Sequence, residues 1–345
     1  MKHYAGIDVS LEASSVCVVD ASGKVVREGK VASEPEALIT WFAGLGVELE
    51  RIGLEAGPLS QWLHAALKEA GLSVELLETR HVRAAFKTMP VKTDRLDARG
   101  IAQLVRLGWF RPVWCKSASS QEARALLGAR RLLLDKAKDV EKSLRGLLRN
   151  FGLKLGKAAG RTFEPKARAL VDGHPVLEAV AEAMLKARAA LLAQHGLLHR
   201  RVLGMARASE RARLLMTAPG VGPVVALGYV SAIDDAQRFT SARRVGSYFG
   251  LSQRKYQSGK IDITGHISKM GDAGVRALLY EAAHVILTRQ KKPSALKAWG
   301  ERLARKIGAK KAKVALARRL AVVLLHMLRD GVRFDPARGA PAQAI

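Results

Sequence analysis

The stretch Gly6-Ile7-Asp8-Val9-Ser10 decides how the N-terminal part of the chain is interpreted. It closes the first of three short β-branched runs, whose spacing predicts an antiparallel meander. The runs span residues 4–9, 15–19 and 24–31, with turn residues at 20–23 between the second and third. Alternating elements follow: a helix at 34–45, a strand at 51–55, a helix at 58–70, a strand at 73–77 and a helix at 94–107. This order predicts a mixed α/β sheet.

Long helices are predicted downstream of this sheet. Residues 117–150 and 165–208 repeat Ala, Leu, Lys, Arg and Glu at three-to-four-residue spacing, with a Gly-containing stretch at 151–162 between them. The pattern fits either an intramolecular coiled-coil hairpin or a dimerisation element. Three further helices are predicted at 275–288, 295–307 and 311–330. We therefore expect three domains: 1–110, a helical connector at 111–210, and a mostly α domain at 211–345.

Positive charge is distributed very unevenly along the 345 residues. Lys and Arg total 58 against 31 Asp and Glu, which gives a formal charge of +27. Residues 1–110 carry 13 basic and 14 acidic side chains, whereas 111–220 carry 22 and 9, and 221–345 carry 23 and 8. A polyanion such as nucleic acid is the partner expected for the second and third segments.

The composition excludes several classes of protein. With 48% hydrophobic and 26% charged residues, the chain is expected to fold rather than remain a disordered basic tail. No apolar run is long enough to span a bilayer, and no signal peptide is recognised, so we expect a cytoplasmic protein without a membrane partner. Its two cysteines, Cys17 and Cys115, exclude a disulfide framework.

Four carboxylates form the sharpest candidate site. Asp8 and Glu55 each end a predicted strand, and neighbouring strands lie about 4.8 Å apart. Asp94 and Asp97 are three residues apart at a helix start and therefore share one face. Any one of these acids alone could be a solvated strand end, and Asp94 could cap its helix. Together they favour Mg²⁺, which prefers oxygen ligands and, as a pair of ions, supports phosphoryl transfer.

These motifs resemble a known family of bacterial insertion-sequence transposases, usually numbered one hundred and ten, which includes bridge-RNA-guided recombinases and Piv invertases. The N-terminal motifs match the Asp-Glu-Asp-Asp signature of its RuvC-like domain. Four later motifs match its C-terminal transposase domain. These are Ala218-Pro219-Gly220-Val221-Gly222, Phe249-Gly250-Leu251, Arg254-Lys255-Tyr256-Gln257-Ser258-Gly259 and Ile267-Ser268-Lys269-Met270-Gly271.

The resemblance implies a fold, a chemistry and partners. It implies an RNase-H-like (RuvC-like) α/β domain in which Asp8, Glu55, Asp94 and Asp97 bind Mg²⁺, expected as two ions. It implies that Ser258 attacks a DNA phosphate to form a covalent phosphoserine link, and that the acids of one subunit face the serine of another. Donor and target DNA, a guide (bridge) RNA, a homo-oligomer (dimer or tetramer) and association with the bacterial nucleoid follow from it. Without the motif, Ser258 would be an ordinary turn serine before Gly259.

Candidate nucleic-acid contacts surround the serine and precede it. Cations and one aromatic residue lie on a predicted loop or hairpin, where they could hold a phosphate or simply be solvated. Two glycines belong to a turn that resembles a helix-hairpin-helix unit, whose amides could meet a phosphate, or that is only a tight interhelical turn. The full set is Arg254, Lys255, Tyr256, Lys260, Lys269, Arg276, Gly220 and Gly222.

Other functions remain open at the level of sequence. A Holliday-junction resolvase would use the four acids and dispense with Ser258. A nucleic-acid-binding scaffold would need neither. Sugar-kinase and actin-like ATPases also begin with Gly-Ile-Asp, but this chain lacks the second copy of the fold with its Gly-rich phosphate loops.

Overall fold

The computed structural model describes residues 2–87, 91–259 and 261–341. The chain forms two compact units, Met1–Lys116 and Ser117–Ile345. The second predicted boundary, at residue 210, stays a prediction.

A five-stranded sheet forms the centre of the first unit. Its strands are β1 (His3–Asp8), β2 (Ala13–Asp20), β3 (Val25–Ala32), β4 (Leu49–Glu55) and β5 (Val74–Leu77). The order is β3-β2-β1-β4-β5, with β1, β2 and β3 antiparallel and β4 and β5 parallel to β1. The predicted meander and mixed sheet are confirmed, and this strand order is that of an RNase-H-like domain.

Helices cover both faces of this sheet. Their bounds are α1 (Pro35–Ala43), α2 (Ser60–Glu69), α3 (Thr79–Phe86) and α4 (Asp94–Arg106). Apolar side chains of α1 and α2, such as Leu38 and Leu63, form a buried core against one face, and Ile101 and Val105 of α4 pack on the other. The sequence analysis missed α3, which is short and polar and buries only Val82.

Two glycines let α4 approach the sheet closely. Gly6 on β1 lies directly opposite Gly53 on β4. A Cβ atom at Gly6 would collide with backbone atoms of Ala98 and Ala102 and would lie 2.9 Å from Cβ of Ile101. At Gly53 it would lie 2.7 Å from Cγ1 of Val105. The missing side chains therefore set the depth of α4, and with it the position of every residue at the N-terminus of that helix.

Substituting these glycines tests this packing. Gly6→Ala is expected to cost about 3 kcal/mol of unfolding free energy, because the added methyl meets helix backbone. Gly53→Ala should cost about 1–2 kcal/mol, because it meets movable side-chain ends. The control Gly57→Ala, whose Cβ would have its nearest neighbour at 4.0 Å, should change stability by less than about 0.5 kcal/mol.

Guanidinium unfolding followed by tryptophan fluorescence measures these differences for the first unit. Four of the five tryptophans lie there: Trp41, Trp62, Trp109 and Trp114. Equal stability of the Gly6→Ala and Gly57→Ala variants would contradict the packing argument.

The second unit is mainly helical. Its helices are α5 (Ala118–Arg149), α6 (Phe163–Val171), α7 (Pro175–Ala208), α8 (Glu210–Leu215), α9 (Pro223–Ile233), α10 (Arg244–Tyr248), α11 (Ala273–Thr288), α12 (Ala295–Ile307) and α13 (Ala309–Asp330). Its strands are β6 (Gln253–Ser258), β7 (Ile261–Ile267), β8 (Phe334–Asp335) and β9 (Ala340–Pro341), which form two antiparallel pairs. The predicted largely helical C-terminal region is confirmed.

The helix predicted at 165–208 is wrong in one respect, because the structure divides it into α6 and α7. Gly173 takes a left-handed φ of +79°, and Pro175 opens the next helix at its first turn. The helices α5 and α7 pack along each other as a hairpin within this unit. The far end of the hairpin is closed by Phe163, which lies between the guanidinium groups of Arg145 and Arg188, each 5.1 Å from its ring centroid.

Two aspartates fix α5 to the rest of its unit. Asp234 ends α9 and accepts hydrogen bonds from the Ser117 amide at 3.1 Å and the Ser120 hydroxyl at 2.7 Å. Asp272 caps α11 and pairs with Arg124 at 2.6 Å. Burial alone would raise the pKa of Asp272, but the Val275 amide and the Arg124 guanidinium outweigh it and hold that pKa below its usual value. The start of α5 is therefore held at both α9 and α11.

Candidate active site

Asp8 and Glu55 lie at the ends of adjacent parallel strands. Ile7 pairs with Leu54 in the register of β1 and β4, so the next residue of each strand is an acid at the same edge of the sheet. Both side chains are partly buried. The sheet therefore places these two predicted site residues beside each other.

The N-terminus of α4 adds the other two acids. Thr93 is the N-cap, and its hydroxyl accepts a hydrogen bond from the Leu96 amide at 3.2 Å. The alternative in which Asp94 caps this helix is therefore wrong, and the Asp94 carboxylate does not serve as the cap. Asp97, one turn further, is 9% exposed, an unusual environment for an aspartate whose ion pair with Lys92 is as long as 3.9 Å.

The pKa of Asp8 shows that the four acids interact electrostatically. This pKa is raised from 3.8 to about 6, first by burial and then by the negative charges of Asp97, Asp94 and Glu55 in that order of importance, while Lys92 opposes them. Burial likewise raises the pKa of Glu55. Ionising all four carboxylates at this sheet edge is therefore unfavourable, because they are partly buried and repel one another.

These acids fit a divalent cation in charge and donor type. Carboxylate oxygens are the ligands that Mg²⁺ prefers, and a cation would relieve the repulsion that raises the pKa of Asp8. RuvC-like DEDD nucleases generally use divalent metals. Within the described residues, however, no three His, Cys, Asp or Glu side chains are grouped closely enough to hold one ion. The structure thus brings the acids into one neighbourhood without closing a three-ligand cage.

Arginines on α4 hold this helix to β3, a feature that the sequence analysis missed. Arg95 contacts Glu28 at 2.6 Å, and Arg99 contacts the other oxygen of the same carboxylate at 3.0 Å. Burial would raise the pKa of Glu28, but the two guanidinium groups outweigh it and keep that pKa below its usual value. Since Glu28 is only 14% exposed, this largely buried pairing ties the start of α4 to β3.

Lys92 forms an ion pair with one of the four acids. Its Nζ lies 3.9 Å from a carboxylate oxygen of Asp97, and its side chain is 83% exposed. The weak, solvated contact leaves the lysine free to move when a stronger cation binds.

Ser258 lies at the end of β6 in the second unit. The predicted loop or hairpin is a hairpin, because β6 and β7 pair antiparallel and Ser258 lies opposite Ile261. Gly259 has a φ of +55°, which favours glycine at a tight turn. Ser258 is exposed, and Lys260 lies outside the described residues. The serine is therefore presented on a projecting element rather than in a cleft.

The flanking cations are engaged within the hairpin and its base. Lys255 pairs with Asp262 at 3.2 Å, and Arg254 donates to the Ser268 carbonyl at 3.3 Å. Arg276 donates to the Phe249 carbonyl at 3.1 Å, and Lys269 has a left-handed φ of 54°. Their binding to nucleic acid stays a prediction.

The predicted helix-hairpin-helix turn connects α8 to α9. Gly220 has a φ of +74°, and a Cβ there would lie 2.5 Å from the Ala282 carbonyl of α11. Gly222, at the start of α9, has open space around it. Close packing against α11 explains why residue 220 is a glycine. A phosphate contact at either glycine stays a prediction.

Sequence comparisons identify the two domains. A profile of the IS110-type DEDD transposase domain matches residues 5–152, and a profile described as "Transposase IS116/IS110/IS902 family" matches residues 212–299. The chain carries the transposase domains of the IS110/IS116/IS902 family. An enzyme that cuts and rejoins DNA is what this family implies.

Curated relatives match most of the chain. The transposase for insertion sequence element IS1111A of Coxiella burnetii is 27% identical over 94% of this chain and 88% of its own length. A probable family 20 transposase of Pseudomonas aeruginosa is 27% identical over 83% of this chain and 86% of its own.

Solved structures also match the chain. T. thermophilus RuvC in complex with a Holliday junction substrate covers 33% of this chain and 100% of its own, with 16% identity and a TM-score of 0.26. That similarity is too low to support an argument, so the RuvC-like fold rests on the strand order and the DEDD profile. No helix in the described ranges is long and apolar enough to cross a membrane.

Proposed function

We propose that this protein is a Mg²⁺-dependent DNA recombinase of an insertion sequence, which cuts and rejoins DNA through a covalent link to Ser258. The main support is the position of Asp8, Glu55, Asp94 and Asp97 at one sheet edge, where burial and the charges of the other three acids raise the pKa of Asp8. The second support is the exposed position of Ser258 at a hairpin end.

The proposed step exchanges one phosphate ester for another. The Ser258 oxygen attacks phosphorus, its proton passes to a base, and the sugar oxygen that leaves takes up a proton. The new phosphoserine bond replaces the broken ester, so the free energy needed for rejoining is retained. The carboxylates of Asp8, Glu55, Asp94 and Asp97 would hold two Mg²⁺ ions, which when bound stabilise the attacking and leaving oxygens.

The serine needs activation from outside its own hairpin. A serine hydroxyl is a weak nucleophile without a base or metal, and the nearest acid along the hairpin, Asp262, is paired with Lys255. We therefore propose a homo-oligomer, a dimer or tetramer, in which the acids of one copy act on the DNA attacked by the serine of another. A guide RNA that selects donor and target DNA belongs to the same proposal, and the excess of basic residues after residue 110 supports it.

The alternative is a Holliday-junction endonuclease that uses the four acids alone. Its support is the RuvC-like fold of the first unit. In that reaction water would attack the phosphate, and Ser258 would be dispensable.

A covalent adduct distinguishes these functions. Wild-type protein incubated with Mg²⁺ and the DNA ends of its own element should yield a protein–DNA adduct that survives denaturing electrophoresis. Ser258→Ala should abolish the adduct and recombination, and Asp8→Ala should reduce both by at least about 100-fold, because the metal-assisted step is lost. Thr264→Ala, on the opposite face of the hairpin, is the control and should retain both activities. Cleavage by Ser258→Ala at the wild-type rate would favour the endonuclease.

Metal binding can be measured without activity. In the absence of divalent ions, Asp8→Asn should raise the melting temperature, because it removes one of four crowded charges. Added Mg²⁺ should raise the melting temperature of wild type and of the control Glu12→Gln, an exposed acid outside the group, but not that of Asp8→Asn. Equal Mg²⁺ responses in all three proteins would contradict a metal site at these acids.

A further inference from the structure

The hairpin of β6 and β7 projects from its unit. Every residue of β6, and every residue of β7 up to His266, is exposed, whereas Ile267 packs against the core. The base is fixed by hydrogen bonds from the Ser268 amide to the Ser252 carbonyl at 2.8 Å and from the Lys269 amide to the Gly250 carbonyl at 3.1 Å. Since an isolated two-stranded ribbon is only marginally stable in water, a fixed base with an uncovered ribbon indicates a surface that is completed by a partner.

The two faces of this ribbon differ in chemistry. Tyr256 pairs with Ile263 and Ser258 with Ile261, and because side chains alternate along a strand these four residues share one face. Tyr256, Ile261 and Ile263 are 61%, 50% and 60% exposed. The other face is polar and carries Lys255, Gln257, Asp262 and Thr264. The proposed nucleophile therefore lies beside one aromatic and two aliphatic side chains, all of them exposed.

Charge indicates a polyanionic partner, which the proposed function takes to be DNA. The segment after residue 220 carries 23 basic and 8 acidic side chains, and Arg254, Lys269 and Arg276 surround the base of the ribbon. If Ser258 reaches a phosphate, its whole face is covered by that DNA. Phosphates pair with cations, whereas apolar and aromatic side chains gain free energy by contacting bases, either between base steps or stacked upon them.

We propose that Tyr256, Ile261 and Ile263 form a base-step wedge, which enters the base stack beside the phosphate that Ser258 attacks. Tyr256 stacks on the displaced base, while the two isoleucines fill the opened step. This inference rests on the proposed function, because it takes Ser258 to be the nucleophile. Opening a step costs a few kcal/mol, and burial of the apolar face offsets that cost.

The test uses two 24-bp duplexes of the same arbitrary sequence, one fully paired and one with a central two-nucleotide mismatch that contains 2-aminopurine. Wild type should bind the mismatched duplex at least about fivefold more tightly, because its step is already open. Binding should also quench the 2-aminopurine fluorescence through stacking on Tyr256. Both are measured at one fixed salt concentration.

Variants then assign the effect to the wedge. Tyr256→Ala combined with Ile263→Thr, which retains strand propensity, should reduce the mismatch preference to about onefold and remove the quenching. Tyr256→Phe keeps the ring and should keep both effects. The matched control Gln257→Ala with Thr264→Ala, on the polar face, should also keep them. Circular dichroism and melting temperature verify that the exposed substitutions leave the fold intact.

The opposite results would overturn the wedge. A wild-type protein with no mismatch preference and no quenching excludes it. So does an unchanged preference in the double variant, or a shift of oligomeric state caused by that variant without DNA, since the face would then be a protein interface. Ser258→Ala should retain the preference, because stacking needs no hydroxyl. If the preference is absent while wild type still forms the Ser258 adduct, the wedge fails and the proposed function stands.

Discussion

The close approach of α4 to β1 is the constraint on which the candidate site depends. Gly6 and Gly53 face each other across β1 and β4, and the absence of their side chains lets the backbone of α4 rest on the sheet. Glu28 holds the same helix from β3 through Arg95 and Arg99. With its depth and rotation both fixed, α4 delivers Asp94 and Asp97 to the edge where Asp8 and Glu55 end their strands. The four negatively charged carboxylates are then close enough to repel one another.

The first 110 residues and the rest of the chain differ in charge, and each part suits a different ligand. The nearly neutral first 110 residues retain acids that repel one another and suit a divalent cation, whereas the remainder is strongly basic and suits a polyanion. The hairpin of β6 and β7 belongs to the second part but breaks its pattern, because Tyr256, Ile261 and Ile263 present an apolar face around Ser258. In a cationic surface with an apolar centre, the cations would contact phosphates and the apolar side chains would contact exposed bases. In the proposed reaction, this surface and the four acids would act on the same DNA.

Local signals in the sequence predicted the sheet and the placement of the acids at its edge. β-Branched runs located the strands that end at Asp8 and Glu55, and three-residue spacing placed Asp94 and Asp97 on one helix face. Contacts between residues far apart in the sequence could not be predicted from such local signals, as with Glu28 and its partner Arg95, which are 67 residues apart. The break before Pro175 had a visible signal in Gly173 and the proline itself, which the strong helical periodicity outweighed. The wedge face required the strand register, because Ile261 and Ile263 join Ser258 and Tyr256 only once Ser258 is paired with Ile261.

Manganese binding to the intact chain tests most directly whether the depth of α4 assembles the acids. Isothermal titration calorimetry should give an Mn²⁺ dissociation constant at least about tenfold weaker for Gly53→Ala than for wild type, because displaced carboxylates lose shared ligation. Leu63→Val, which loosens the core on the opposite face of the sheet, should leave the constant within about twofold. An unchanged affinity in a folded Gly53→Ala variant would contradict the account.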